Sequence, residues 1–269
     1  MKKPERSKLT GGFKILKNTS VIPSPSVILS PSSVTLSEAK SLRINSAKDL
    51  KKAARVLKAG GIVIFPTDTV YGIGCRFDDQ RAIARLYQIK GTPRNQPLPI
   101  LVSKTSQVNS LATITKIGKK LISKYWPGGL TIALPGLSTY SKPGSEQLCE
   151  SGLNAEKTEK IGFRMPNSKL VLVLINQIGV PIIGTSANFH GQEPSKSFAE
   201  LDPNLIKLAD FVIKGKCQTG IESTVVDATV DPPRILRQGA VKLMSLNPVI
   251  PALQLSFPRN RESIQDKLA

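Results

Sequence analysis

Residues 46–72 read SAKDLKKAARVLKAGGIVIFPTDTVYG, a helical pattern that runs into a strand pattern and then into a polar loop. Ser46 with Asp49 three residues later has the form of a capping box. Leu50, Ala53, Ala54 and Leu57 then fall on one helical face, and Gly60 stops the helix. Ile62-Val-Ile-Phe65 follows as a short buried strand.

The same alternation recurs downstream. The pattern predicts a helix over 79–90 before a Pro99–Val102 strand, and a helix over 114–124 before Leu130–Leu134. A Leu170–Ile178 helix leads into Pro181–Gly184, and strand-like runs at Thr224–Asp227 and Arg234–Arg237 close the series. Helices interleaved with strands imply an α/β domain whose sheet is covered by helices. No internal repeat is visible.

The chain carries 38 Lys+Arg against 19 Asp+Glu, a net charge of +19 that favours anionic partners such as nucleotides, pyrophosphate, RNA or an acidic surface. A cationic, soluble surface without a dedicated ligand is the other reading. Cys75, Cys149 and Cys217 are odd in number and far apart, which argues against a disulfide framework or a CxxC-type zinc site and fits a reducing compartment. His190 is the only histidine, so metal chemistry needing two histidines is excluded. No apolar run approaches the ~20 residues of a membrane span.

Residues 1–45 differ from the rest. They carry Lys2, Lys3, Arg6, Lys8, Lys14, Lys17, Lys40 and Arg43 against only Glu5 and Glu38, and residues 20–33 are rich in Ser and Pro. This reads as a flexible basic leader, ahead of the second reading, an organellar transit peptide. The expected division is a leader over 1–45, a catalytic domain over 46–247 and a tail over 248–269. The expected location is cytoplasmic, or organellar if the leader is a transit peptide.

Five segments place Gly, Pro, hydroxyls and cations at strand ends, where open α/β sheets bind ligands. Phe65-Pro-Thr-Asp-Thr-Val-Tyr-Gly72 offers hydroxyls and backbone N–H groups to an amino acid or a phosphate, or is a Pro-initiated turn with a helix cap. Lys90-Gly-Thr-Pro-Arg-Asn-Gln-Pro-Leu98 displays Lys90, Arg94, Asn95 and Gln96 for phosphate oxygens, unless Lys90 serves its own helix C-terminus. Arg164, in Ile161–Pro166, is either an edge-strand surface residue or a pocket cation. Gly184-Thr-Ser-Ala-Asn188, with Gly191 and Pro194-Ser195 beyond, allows close backbone approach to a ligand or caps a helix. Glu222–Asp227 and Ile235–Gly239 pair as strands that bring Ser223 and Arg237 to one end of the sheet, or form a plain hairpin.

Each segment alone has an ordinary structural reading; their order is specific. PTDTVYG, the K-G-x-P…PL loop, WPGGLT, FRMP, TSAN…G, ESTVVD and ILRQGA, over about residues 46–243, resemble the Sua5/YciO/YrdC family and, within it, the threonylcarbamoyl-AMP synthases. The resemblance implies a YrdC-like twisted mixed sheet with flanking helices and a basic concave face that holds ATP, Mg²⁺ and L-threonine. It implies that L-threonine and bicarbonate or CO₂ form a carbamate that attacks the α-phosphate of ATP, giving threonylcarbamoyl-AMP and pyrophosphate. A separate transferase complex then passes the group to an adenosine of tRNA.

Carried over by motif, Thr67, Ser168, Ser186 and Ser223 fall where the family contacts threonine. Lys90, Gln96, Arg164, Asn188, Ser195 and Arg237 fall where it contacts ATP. Thr67, Lys90 and Arg237 are the expected catalytic group, with Lys90 and Arg237 supplying charge to phosphate. Asn188 fixes the nucleotide, and Tyr71 forms a wall of the pocket. No protein-bound metal cluster is implied; Mg²⁺ comes with ATP.

The sequence departs from the family at one point: Thr92 stands where the family loop has arginine, and Arg94 is the candidate to reach the same phosphates. An RNA-binding module of this fold, holding tRNA or ribosomal RNA without catalysis, is the alternative. Against it, only 5 % of residues are aromatic and no stacking platform is visible. A hydrogenase-maturation carbamoyl-transfer domain is disfavoured because the chain lacks zinc-finger Cys pairs. The short distance from ILRQGA to the end of the chain leads to the expectation of a short form without a further C-terminal domain.

Overall fold

A computed structural model describes residues 44–137 and 159–243. Helix α1 spans Ile44–Lys58 and so starts before Ser46, the expected first residue. First-turn backbone geometry can carry a helix past a cap-like serine, so Ser46 is not its boundary. Gly60, at φ 80, turns the chain out of α1 into β1, Val63–Phe65.

Strand β2 follows at Gly72–Arg76, then α2 at Gln80–Lys90. Asp79 Oδ1 accepts from Ala82 N at 3.0 Å to open α2, and Gly91 closes it in the left-handed conformation at φ 63. Next come β3 (Ile100–Leu101), α3 (Ser106–Asn109), α4 (Lys116–Tyr125) and β4 (Leu130–Pro135). After residue 158 the order is β5 (Lys160–Arg164), α5 (Lys169–Ile178), β6 (Ile182–Ser186), α6 (Pro203–Leu208), β7 (Phe211–Val212), β8 (Thr224–Asp227) and β9 (Arg234–Arg237).

Among the described residues these strands form one mixed sheet in the order β7-β1-β2-β6-β3-β5-β4-β8-β9. β1–β7, β3–β5 and β4–β8 are parallel, and the remaining neighbours are antiparallel. Successive side chains of a strand point to opposite faces, and the core divides accordingly. Val63, Phe65, Leu101 and Ile182 pack with α1 and α5 through Leu50, Leu57, Val171 and Ile175. Ile64, Ile73, Ile100, Ile132, Phe163 and Ile183 pack on the other face with Ile83, Leu86, Val108 and Leu121. Burial on both faces explains why Ile62–Phe65 is apolar throughout.

The reading missed β2 because Gly72 and Gly74 weaken a strand signal. Gly74 is needed there: a Cβ would lie 2.4 Å from the Ile183 carbonyl oxygen on the paired strand. The short α3, α6 and β7 also escaped it. The leader over 1–45, except for Ile44 and Asn45 in α1, lies outside the described residues, as do Cys149 and the tail over 248–269. Cys75 and Cys217 are free thiols. No helix among the described residues is long and apolar enough to cross a membrane.

Candidate active site

A cavity of about 420 Å³ opens on the sheet face that α1 and α5 share, beyond the end of their cover. Its floor is kept low by small residues at the inward positions: Gly72, Ala133, Gly162 and Gly184. A Cβ on Gly184 would meet Leu101 Cδ1 at 2.6 Å, and one on Gly72 would meet the Phe65 ring at 2.9 Å. The loops after β1 and before β3 make the rim, with Thr67, Thr69, Tyr71, Gln96 and Pro97.

Thr67 Oγ1 donates to the Val70 carbonyl at 2.7 Å, accepts from Thr69 N at 3.0 Å and lies 3.0 Å from Thr69 Oγ1. The loop therefore folds on its own hydroxyls. Its backbone is also held from outside, by Thr219 N on the Asp68 carbonyl at 3.1 Å and Gly220 N on the Thr69 carbonyl at 2.8 Å. Tyr71 is fully buried as a wall of the cavity, and its hydroxyl bonds the Gly215 carbonyl at 2.9 Å and N–H at 2.8 Å. Burial raises its pKa.

Arg164, at the end of β5, is a pocket cation rather than an edge-strand surface residue, with only 9 % of its side chain exposed. Nε donates to Gly128 O at 3.1 Å, Nη1 to Thr69 Oγ1 at 2.8 Å and Nη2 to Asp68 Oδ1 at 2.6 Å. Burial pulls its pKa down while Asp68 opposes that shift.

Arg237, on β9, donates through Nε and Nη2 to the Ser223 carbonyl at 3.2 and 3.0 Å, and through Nη1 to Glu222 Oε1 at 3.0 Å. Ser223 Oγ lies 2.9 Å from Thr131 Oγ1 on β4. Lys160 also lines the cavity and pairs with Asp227 at 2.7 Å. Three lining cations thus each have a carboxylate partner.

The cavity gathers Thr67, Gln96, Arg164, Ser186, Ser223 and Arg237 of the expected site. Lys90 stands behind that lining: its Nζ donates to the carbonyls of Ser186 at 2.6 Å and Asn188 at 2.7 Å. Burial lowers its pKa to about 8, with Glu222 acting the other way. Asn188 Nδ2 is held by the carbonyls of Phe189 at 3.0 Å and Gln192 at 2.7 Å.

Four expected site residues have local structural partners or surroundings away from the lining. Ser168 caps α5, accepting from Val171 N at 3.5 Å. Ser195 Oγ reaches the carbonyls of Ala187 at 3.3 Å and Glu200 at 3.1 Å. Thr92 is buried, and its Oγ1 has no hydrogen-bond partner among the described residues. Arg94 is exposed on the loop before β3.

Sequence reading assigned no individual role to Thr69, Thr131, Lys160 or Glu222. Thr131 was findable, since Leu130, Ile132 and Leu134 face the core and alternation turns Thr131 to the other side. The remaining three lie within or beside quoted motifs, without a signal of their own.

The arrangement offers fork-shaped donors and hydroxyls in one cleft, which suits holding anions more than moving protons. Among the described residues, no three His, Cys, Asp or Glu side chains gather to hold a metal ion.

The Sua5_yciO_yrdC family model, described as telomere recombination, matches residues 55–239. The threonylcarbamoyl-AMP synthase of Bacillus subtilis is 34 % identical, over 75 % of this chain and 56 % of that protein. The structure of Pyrococcus abyssi Sua5 complexed with L-threonine is 31 % identical with a TM-score of 0.61, over 71 % of this chain and 54 % of that one. Escherichia coli YciO is 26 % identical with a TM-score of 0.60, over 72 % of this chain and 90 % of that one. The chain thus spans little more than half the length of the Bacillus and Pyrococcus relatives.

Proposed function

The chain belongs to the Sua5/YciO/YrdC family, and from that premise we propose that it is an L-threonylcarbamoyladenylate synthase. One observation carries the reading: Thr67, Arg164, Ser186, Ser223 and Arg237, drawn from five separate motifs, converge on one cavity.

In this reading L-threonine and bicarbonate combine, with loss of water, to a carbamate whose oxygen attacks the α-phosphorus of ATP. The bond from that phosphorus to the bridging oxygen breaks, and its electron pair leaves with pyrophosphate. The demand on the protein is to hold two anions together and to stabilise charge on the leaving group. Thr67, Ser186 and Ser223 orient L-threonine through their hydroxyls. Arg164, Arg237 and Lys90 supply donors and charge to the phosphates, with Gln96 and Asn188 on the nucleotide and Arg94 at the rim. Ser168 and Ser195 act through the backbone they hold. Mg²⁺ enters as part of Mg-ATP.

The catalytic unit is residues 46–247. The product goes to a separate transferase complex that modifies tRNA, which places the reaction in the cytoplasm or an organelle matrix.

The test is mass spectrometry of the products after the purified chain is incubated with L-threonine, bicarbonate and Mg-ATP. A threonylcarbamoyl-AMP peak that needs both threonine and bicarbonate is expected, with equimolar pyrophosphate. Folded protein that yields no such peak and still retains tRNA on a filter would turn the reading to an RNA-binding module.

A further inference from the structure

A guanidinium has five N–H bonds. On Arg164 three of them are committed, to Gly128 O, Thr69 Oγ1 and Asp68 Oδ1. Two N–H bonds, one on each terminal nitrogen, have no acceptor among the described residues, and Arg164 lines the cavity. What those two bonds can donate to depends on the plane of the guanidinium. That plane is set by loops from two places in the fold: Gly128 ahead of β4, and Asp68 with Thr69 after β1.

Of the three anchors, Asp68 is the charged one and the shortest, at 2.6 Å. It is buried, 5 % exposed, and is not part of the cavity lining, whereas Arg164 is. Its backbone is fixed as well, since Thr219 N and Oγ1 both donate to the Asp68 carbonyl, at 3.1 and 3.2 Å. Lys160 and Arg237 have partners too, but on side chains nearly half exposed, 48 % and 45 %. Neither is locked in the way Arg164 is.

We propose that Asp68 is a positioning residue: it clamps the Arg164 guanidinium so that its two unclaimed N–H bonds face the reacting anions in the cavity. The inference rests on the synthase reading for its readout. Positioning depends on where the acceptor oxygen of Asp68 sits, which substitution can separate from the negative charge that oxygen carries.

Two full-chain variants test it. Asp68→Asn leaves an acceptor oxygen in place and removes the charge; Asp68→Glu keeps the charge and displaces the oxygen by a methylene. The expected result is that Asp68→Glu loses about 10- to 100-fold in kcat with the KM for ATP within a few-fold, as for a misplaced catalytic donor. Asp68→Asn is expected to keep the larger share of kcat. Thermal melting of both variants confirms that folded protein is compared, and if Asp68→Asn does not fold, Asp68→Glu decides alone. Folded Asp68→Glu with wild-type kcat, or with more activity than folded Asp68→Asn, would overturn the proposal. Wild-type protein that makes no threonylcarbamoyl-AMP would instead overturn the synthase reading, so the two failures are distinct.

Discussion

Arg237 is folded back onto Ser223, with Nε and Nη2 on its carbonyl at 3.2 and 3.0 Å and Nη2 3.3 Å from its hydroxyl. The contact depends on the antiparallel β8–β9 pairing, in which Val225 faces Arg237, and on the register shift between Val225 and Val226. The ion pair with Glu222 is partly exposed on both sides and contributes little to stability. In the proposed reaction Arg237 therefore acts through its fork, which lysine cannot reproduce. Arg237→Lys should melt near the wild-type temperature yet lose about 100-fold in kcat/KM for ATP, read by steady-state kinetics.

Lys90 gives the site a pH dependence. Burial lowers its pKa to about 8 from an ordinary 10.5. Between those values the unfolded chain binds more protons than the folded one, so this group makes stability rise with pH there. The burial penalty is fully present below about 8 and is relieved as the ammonium loses its proton. In the proposed reaction the charge that Lys90 offers to phosphate falls over the same interval. In the free enzyme, kcat/KM for ATP should therefore decline above pH 8 without a parallel fall in melting temperature. Lys90→Gln should lose that inflection; if the inflection persists, it belongs to another group.

Those two residues mark where sequence reading succeeded and where it stopped. The pairing of ESTVVD with ILRQGA was legible because two short strand-like runs with a turn between them have few alternatives. The strand at Ile62–Phe65 and the helix over 79–90 were legible from local apolar period. The Asp68–Arg164 contact joins residues 96 positions apart, and no local pattern encodes it. For the same reason Lys160 was not seen as a cavity residue, and Lys90 was not seen to be held by the carbonyls of Ser186 and Asn188. Ser168 could be read as a cap from its place one residue before α5, yet motif matching drew it toward the substrate.

Thr92 carries, in a buried position, a hydroxyl with no hydrogen-bond partner among the described residues. A buried polar atom left unpaired costs free energy that an isosteric methyl does not. Thr92→Val should raise stability by up to about 1 kcal/mol in urea denaturation. Activity should be unchanged, because that hydroxyl lies outside the cavity lining.

In the proposed reaction Arg94 serves the loop in which Thr92 replaces the family arginine. It is exposed, while Lys160, Arg164 and Arg237 all have carboxylate partners. Losing charged hydrogen bonds worth about 1.5–3 kcal/mol corresponds to roughly 10- to 100-fold in affinity. Arg94→Ala should weaken ATP binding by that factor in calorimetry, with melting unchanged; unaltered affinity and rate would rule out compensation.

Gly239 follows β9 where the chain crosses close over β8. A Cβ there would lie 2.2 Å from the Glu222 carbonyl oxygen and 2.6 Å from the Ser223 carbonyl carbon, atoms of backbone that cannot rotate away. The same turn is bonded by Gly239 N to Thr224 Oγ1 at 2.9 Å and by Ala240 N to the Glu222 carbonyl at 2.8 Å. Gly239→Ala must therefore push the two segments apart at the point where Arg237 meets Ser223. Overpacking of this kind costs about 1–3 kcal/mol, and here it also separates two residues assigned to the substrates. Gly179→Ala is the control, because Gly179 sits at φ 83 and, among the described residues, no atom beyond its chain neighbours lies within 4 Å of a new Cβ. It pays only the left-handed penalty of about 1–2 kcal/mol. Both variants should melt earlier, but only Gly239→Ala should lose kcat when assayed well below its melting temperature. Equal kcat in the two would mean that the Ser223–Arg237 arrangement is not needed for turnover.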